Sequence, residues 1–355
     1  MTTSTVDEFS ERLFDAVLGA MDMWAIYLGE TLGFYAALAA RPMTTGELAA
    51  ESENNLRYTR EWLEQQSITG IVGVDDPSLP PDQRRYSLPK AHAEVLTDRD
   101  SLSYLAPFVR MMTASGVQIP ALADAYREGG GVSWQQFGAD MRSGQADMNR
   151  PWFLSALGTN WFPAVPDLDD RLKAGGRVAD IGCGEGWSTL AIAKAYPNVT
   201  VDGFDLDTRS IERANDHADD LGLADRVHFH DVDAGSLDRD GEFDVVTAFE
   251  CIHDLPYPVK VLATMRSLAK PDGHVVVMDE KVAEAFPGRG DDVERLMYGF
   301  SLFICLPDGM SHPDSAATGT VMRPETLEAY AREAGFEAVE ILPIENDLWR
   351  FYRLK

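Results

Sequence analysis

The stretch Arg177-Val-Ala-Asp-Ile-Gly-Cys-Gly-Glu-Gly-Trp-Ser-Thr189 constrains this chain more than any other. A short apolar run ends at Asp180-Ile181, and glycine then recurs at alternate positions, Gly182, Gly184 and Gly186. An apolar pattern of helical spacing follows through Leu190, Ile192 and Ala193. This reads as strand, tight turn and helix, because glycine tolerates backbone that turns sharply or lies against a ligand. A dinucleotide site would need glycine where Trp187 stands, with pyrophosphate facing the helix N-terminus. Asp180, just ahead of the turn, would repel a phosphate. It suits a ligand with a cationic end, such as the ammonium of an amino acid.

A second carboxylate supports a nucleoside ligand. Thr200-Val-Asp-Gly-Phe-Asp205 reads as the next strand, and Asp205 follows Gly184 by 21 residues. An acid at that strand tip can accept both hydroxyls of a ribose. The pattern Asp-x-Gly-x-Gly-x-Gly with this later acid resembles the class I S-adenosylmethionine-dependent methyltransferases. Over about residues 171–355 the resemblance implies S-adenosyl-L-methionine as cofactor and S-adenosyl-L-homocysteine as product. It implies cofactor contacts from Asp180, Gly182, Cys183, Gly184, Asp205, Leu206, Asp233, Ala234 and Phe249, with Asp233 on the adenine amino group and Asp231 left to solvent. The implied fold is α/β, a doubly wound, Rossmann-like sheet of seven strands whose last strand is antiparallel. The alternation of strands and helices from residue 177 onward gives the parallel, doubly wound part independently.

At 355 residues, 45% apolar and 25% charged, the chain is long enough for two globular domains. No apolar run approaches the roughly 20 residues that span a bilayer. The start, Met1-Thr-Thr-Ser-Thr-Val-Asp-Glu8, lacks the basic and apolar regions of a signal peptide. Cys183, Cys251 and Cys305 form neither a disulfide framework nor a zinc knuckle, which points to a reducing cytoplasm. With 31 basic and 58 acidic side chains the net charge is −27. That field disfavours nucleic acid and anionic membranes as partners and leaves a small molecule in a shaped pocket.

The first hundred residues read as helices over 9–40, a capped helix from Thr44, a helix over 56–67, and a hairpin of 71–74 with 86–88. Helices followed by a wing form a winged-helix domain, here 1–100, with residues 101–355 as helical connector and catalytic domain. A DNA reader needs a basic stripe. The candidate recognition helix instead mixes Arg57 and Arg60 with Glu61 and Glu64. The segment resembles the N-terminal dimerisation domain of small-molecule O-methyltransferases, and the whole is similar to an actinobacterial group of winged-helix methyltransferases. A homodimer through this domain is expected, because its first helices are apolar on more than one face.

The fourth strand of the second domain, 243–249, runs into Glu250-Cys251-Ile252-His253-Asp254. His253 falls just past the strand's carboxyl end, where a ligand of such a sheet binds. Its unperturbed pKa suits a general base for a phenol or alcohol. The pair His253-Asp254 resembles the histidine–aspartate–tryptophan segment of O-methyltransferases, whose histidine is the base, although Leu255 replaces the tryptophan. The resemblance also implies an acid that orients the base at the end of the fifth strand. Asp279 and Glu280 are the candidates, with Asp279 preferred. Met148, Phe153 and Trp161 in the connector, and Phe303 and His312 in the long 301–322 segment, are candidates to contact substrate.

O-methylation of a small molecule is the first reading, with no metal. One alternative is a metal-assisted C-methyltransferase of the 2-oxo-acid type, in which His253, Asp254 and His312 hold iron. The other is a nucleotide-binding regulator that uses its winged helix on DNA.

Overall fold

The computed structural model describes residues 5–237 and 241–355; residues 1–4 and 238–240, including the start of the segment read for a signal peptide, lie outside it. The chain divides into two compact units, Met1–Thr113 and Ala114–Lys355. Residues 101–113, expected in the connector of the second domain, fall in the first unit. Arg110, on the helix Ala106–Val117, pairs with Glu30 of the first helix at 3.0 Å and draws the start of the connector in.

In the first unit the helix Val6–Thr31 opens on a capping box between Thr5 and Glu8, and Thr45–Glu51 opens on one between Thr44 and Glu47. Each box satisfies two backbone N–H groups that have no partner inside the helix. Strands β1 (Met43–Thr44), β2 (Gly73–Val74) and β3 (Arg85–Ser87) form a small antiparallel sheet in the order β1-β3-β2. Phe34, Tyr35, Leu38, Trp62, Leu63 and Tyr86 fill the core between helices and wing. The helix Leu56–Ile68 carries no free basic stripe. Arg57 pairs with Glu61, Arg60 with Glu64 at 3.1 Å, and Glu64 also takes Arg84 at 3.0 Å.

The second unit is built on seven strands: β4 (Gly176–Ile181), β5 (Val199–Asp205), β6 (Val227–Asp231), β7 (Phe243–Phe249), β8 (Ala269–Glu280), β9 (Val339–Ile341) and β10 (Trp349–Leu354). Their order is β6-β5-β4-β7-β8-β10-β9, parallel from β6 through β8, with β10 antiparallel to both its neighbours. The expected antiparallel last strand is present. All seven residues of β7 are buried, as a strand covered on both faces requires. Leu157, Phe162, Leu190, Ile192 and Phe351 belong to one core layer; Ile181, Phe204, Val246, Leu262 and Leu327 belong to another.

The glycine turn lies between β4 and the helix Trp187–Ala195. Gly186 caps that helix at φ +84, and a Cβ there would come within 2.5 Å of the Phe229 ring. Neither the backbone nor the space admits a side chain. Among the described residues no helix is long and apolar enough to cross a membrane.

Candidate active site

The carboxyl ends of β4 and β5 form one half of the site. Gly184, at φ +52, faces open space where its Cβ would be. Its N–H donates to Asp205 Oδ2 at 2.8 Å, and Asp207 N–H donates to Asp205 Oδ1 at 2.8 Å. These bonds orient the acid and leave further acceptor capacity on both oxygens. Burial raises the Asp205 carboxyl, against those amides. Leu206, beside it, is 60% exposed, an apolar surface at the strand tip. After β6, Asp233 caps a short turn by accepting from Gly235 N–H at 2.8 Å and stays about half exposed, with Lys260 at 3.5 Å. Ala234 is partly buried next to it.

The ends of β7 and β8 form the other half. His253 is buried, and both ring nitrogens meet carboxylates. Nδ1 lies 2.8 Å from Asp279 and 3.0 Å from Glu280, and Nε2 lies 2.9 Å from Asp254. Consecutive strand residues normally face opposite ways, but β8 ends here, and both acids reach the ring. Burial alone would lower the imidazole pKa; Asp254, Asp279 and Glu280 outweigh it and hold the ring charged well above its usual range. Burial raises Asp279 too, but the imidazolium overcomes this and keeps it ionised, whereas burial, with ionised Asp279 adding to it, pushes Glu280 well up. The imidazole is therefore not at the unperturbed value expected from the sequence. Three acids surround one imidazole, and Asp254, a third exposed, covers Nε2.

Sequence reasoning missed three groups here. Glu250, the residue after β7, accepts from Gln145 Nε2 at 3.1 Å and Asn149 Nδ2 at 2.5 Å. An acid straight after an unbroken apolar strand was the signal that could have found it. Cys305 brings its Sγ to within 4.8 Å of the ligand-type atoms of His253 and Asp254. Asp308 is pushed up to about 7 by burial and by Asp254. Nothing in the local sequence marks these two, because they arrive from a segment far along the chain. His312, expected from the same segment, is exposed and outside the cluster.

A model described as a methyltransferase domain matches residues 172–308, and one described as an Rv2258c-like winged HTH domain matches residues 20–98. The chain is 32% identical to a 27-O-demethylrifamycin SV methyltransferase of Amycolatopsis mediterranei, over 53% of this chain and 77% of that protein. It is 31% identical to a ubiquinone biosynthesis O-methyltransferase of Ralstonia nicotianae, over 57% and 78%. The fold is shared with mitomycin 7-O-methyltransferase (TM-score 0.73, 21% identity, 98% of this chain and 97% of that one). It is shared as well with human N-acetylserotonin methyltransferase in complex with S-adenosylmethionine (TM-score 0.73, 18% identity, 100% and 98%). The chain belongs to the class I S-adenosylmethionine-dependent methyltransferases.

The residues fit the cofactor of this methyltransferase family. Open backbone at Gly184, an oriented acid at Asp205 and exposed Leu206 form a cradle of the kind an adenosine needs. Asp180 is 0% exposed. Ser188 and Thr189 hydroxyls donate to its Oδ2, each at 2.6 Å, and Thr247 donates to Oδ1 at 2.8 Å. These bonds tie β4 to the following helix and to β7. Cys183 is likewise buried, as is Phe249, whose ring packs 5.5 Å from Phe153 and 6.4 Å from Phe162. Phe153 and Trp161, expected at the substrate, are 5% and 3% exposed in the same aromatic core, with Trp161 against Trp349 and Phe351. An aromatic run near a pocket is shielded when a helix and strand close over it. Met148 is partly buried and Phe303 is partly exposed.

Asp180→Ala removes the acceptor of the buried Ser188 and Thr189 hydroxyls, while Thr247 keeps Ala179 O at 3.2 Å, and should cost about 3 kcal/mol of stability. Urea denaturation checks it. A loss below about 1 kcal/mol would show the tie to be weak.

Proposed function

We propose that this methyltransferase acts on a hydroxyl oxygen of a small, largely apolar molecule, and that His253 receives the hydroxyl proton once Asp254 has left Nε2. The observation that carries the reading is the buried pairing of His253 Nδ1 with Asp279 at 2.8 Å, just past the carboxyl end of β7. When bound, S-adenosylmethionine supplies a methyl group on a positively charged sulfur, activated toward an oxygen nucleophile. The chain's own task is to orient the acceptor and take its proton.

Asp279 fixes the tautomer that directs Nε2 to the acceptor. While Asp254 occupies Nε2 the ring is an imidazolium with no lone pair to offer. Asp254 is the most exposed of the three acids, so an incoming hydroxyl can replace it. As Asp254 swings out to solvent it carries the Nε2 proton away, leaving a neutral ring whose Nε2 lone pair faces the hydroxyl and takes its proton as the methyl is transferred. For the cofactor, Asp205 is assigned to the ribose hydroxyls, Asp233 to the adenine amino group, and Leu206 and Ala234 to the flanks of the base. Met148 and Phe303 are assigned to the acceptor's apolar surroundings. The free thiols of Cys183, Cys251 and Cys305 suit a reducing cytoplasm.

His253→Ala should lower kcat by at least about a hundredfold. In the wild type kcat/KM should rise with pH through the raised pKa of His253. Asp254→Asn removes an anion from beside the ring, so that limb should move to lower pH. The measurement is release of S-adenosylhomocysteine against a panel of phenols, alcohols, indoles and 2-oxo acids. Near wild-type turnover in His253→Ala, or an unmoved limb in Asp254→Asn, would overturn the reading.

Enzyme dialysed against a chelator should keep its turnover. A loss restored by added iron would return His253 to the ligand role of the metal-assisted alternative.

The dimer proposal rests on the helix Val6–Thr31. Phe9, Leu13, Val17, Met21, Trp24 and Leu28 recur every three or four residues, each at least 45% exposed. They form one apolar stripe, and a second copy of the chain is its proposed cover. Light scattering should give twice the 39.2 kDa chain mass. Leu13→Glu with Met21→Glu should give the monomer, and a monomeric wild type would rule the proposal out.

A further inference from the structure

We propose that Glu250 is the anionic receptor for the ammonium group of bound S-adenosylmethionine, the part first expected of Asp180. The proposal rests on the family's cofactor and not on the proton transfer assigned to His253.

Glu250 follows β7 directly and adopts φ +52, left-handed backbone that a residue with a side chain rarely takes. Such a conformation costs energy and persists where the surroundings impose it, often at ligand sites. Its N–H donates to Met278 O at 2.8 Å. The next residue, Cys251, packs so closely on the glycine turn that a Cβ on Gly182 would lie 2.8 Å from its Sγ. Glu250 thus directly precedes the residue that packs on the first glycine of the turn.

Its carboxylate is met by Gln145 and Asn149, one helical turn apart on Ala139–Trp152, and by the indole of Trp349. All three donors are neutral. The nearby His253 already serves Asp254, Asp279 and Glu280. Burial, with Asp279 adding to it, pushes the Glu250 carboxyl up to about 7 against Asn149, His253 and Trp349. Beside it, Asn149 Oδ1 is a buried acceptor with no hydrogen-bond partner among the described residues. An ammonium carries three donors and a positive charge. It can satisfy the carboxylate and the orphaned amide oxygen together, which neither a hydroxyl nor a carboxylate can do.

Calorimetric titration of wild type and Glu250→Gln with S-adenosylhomocysteine and with 5′-methylthioadenosine, which lacks the amino-acid end, tests this without turnover. The variant should bind S-adenosylhomocysteine at least about tenfold more weakly, the scale of a charged hydrogen bond. It should bind methylthioadenosine as the wild type does. In wild type slightly below neutral pH, titrations in buffers of different ionisation enthalpy should show proton release with S-adenosylhomocysteine alone, because a paired ammonium ionises Glu250. Unchanged affinity for S-adenosylhomocysteine, equal weakening of both ligands, or no proton release in wild type would each overturn the assignment. Failure of the His253 reading would leave these binding results untouched.

Discussion

The buried carboxylate of Asp180 ties the catalytic unit together. Three hydroxyls converge on it, two from the first turn of Trp187–Ala195 and one from β7. A buried carboxylate is costly unless each oxygen finds donors. Satisfied, it pins the strand before the glycine turn to the helix after it and to the neighbouring strand. The turn's open side at Gly184 and the acid at Asp205 then stand at fixed positions. Those bonds engage both oxygens of Asp180.

The second constraint is an imbalance of charge at the ends of β7 and β8. Asp254, Asp279 and Glu280 gather around a single imidazole, and Glu250 lies near enough to feel its charge. In a region of reduced dielectric such a group of acids cannot all ionise. The imidazole stays protonated, Asp279 ionised, and Glu280 and Glu250 shift upward. A site short of positive charge accords with a family whose cofactor carries a sulfonium and an ammonium.

The N-terminal unit shows how a fold pattern and a function come apart. Its helices and wing follow the expected arrangement, with capping boxes at Thr44 and Thr5 setting two helix starts. Yet Arg57, Arg60 and Arg84 are each engaged by a glutamate, and the net charge of −27 opposes a phosphate backbone. The feature left open on this unit is apolar, along the first helix.

The sequence alone determined the sheet, the glycine turn, Asp205 and the place of His253. Strand period, glycine spacing and the position of an acid at a strand tip are local properties that a linear pattern carries. The resemblance implied an acid facing His253 at the end of the fifth strand, with Asp279 preferred over Glu280. It left undecided whether Asp279 or Glu280 faces the ring, and the structure brings both there because β8 stops at that point. Only the tertiary structure decided that Asp180 is enclosed, that Phe153, Trp161 and Phe249 form core, and that Cys305 and Asp308 reach the site while His312 does not. Burial and encounter depend on residues tens to more than a hundred positions apart, and local sequence carries no record of which distant side chains will close over a given carboxylate or ring.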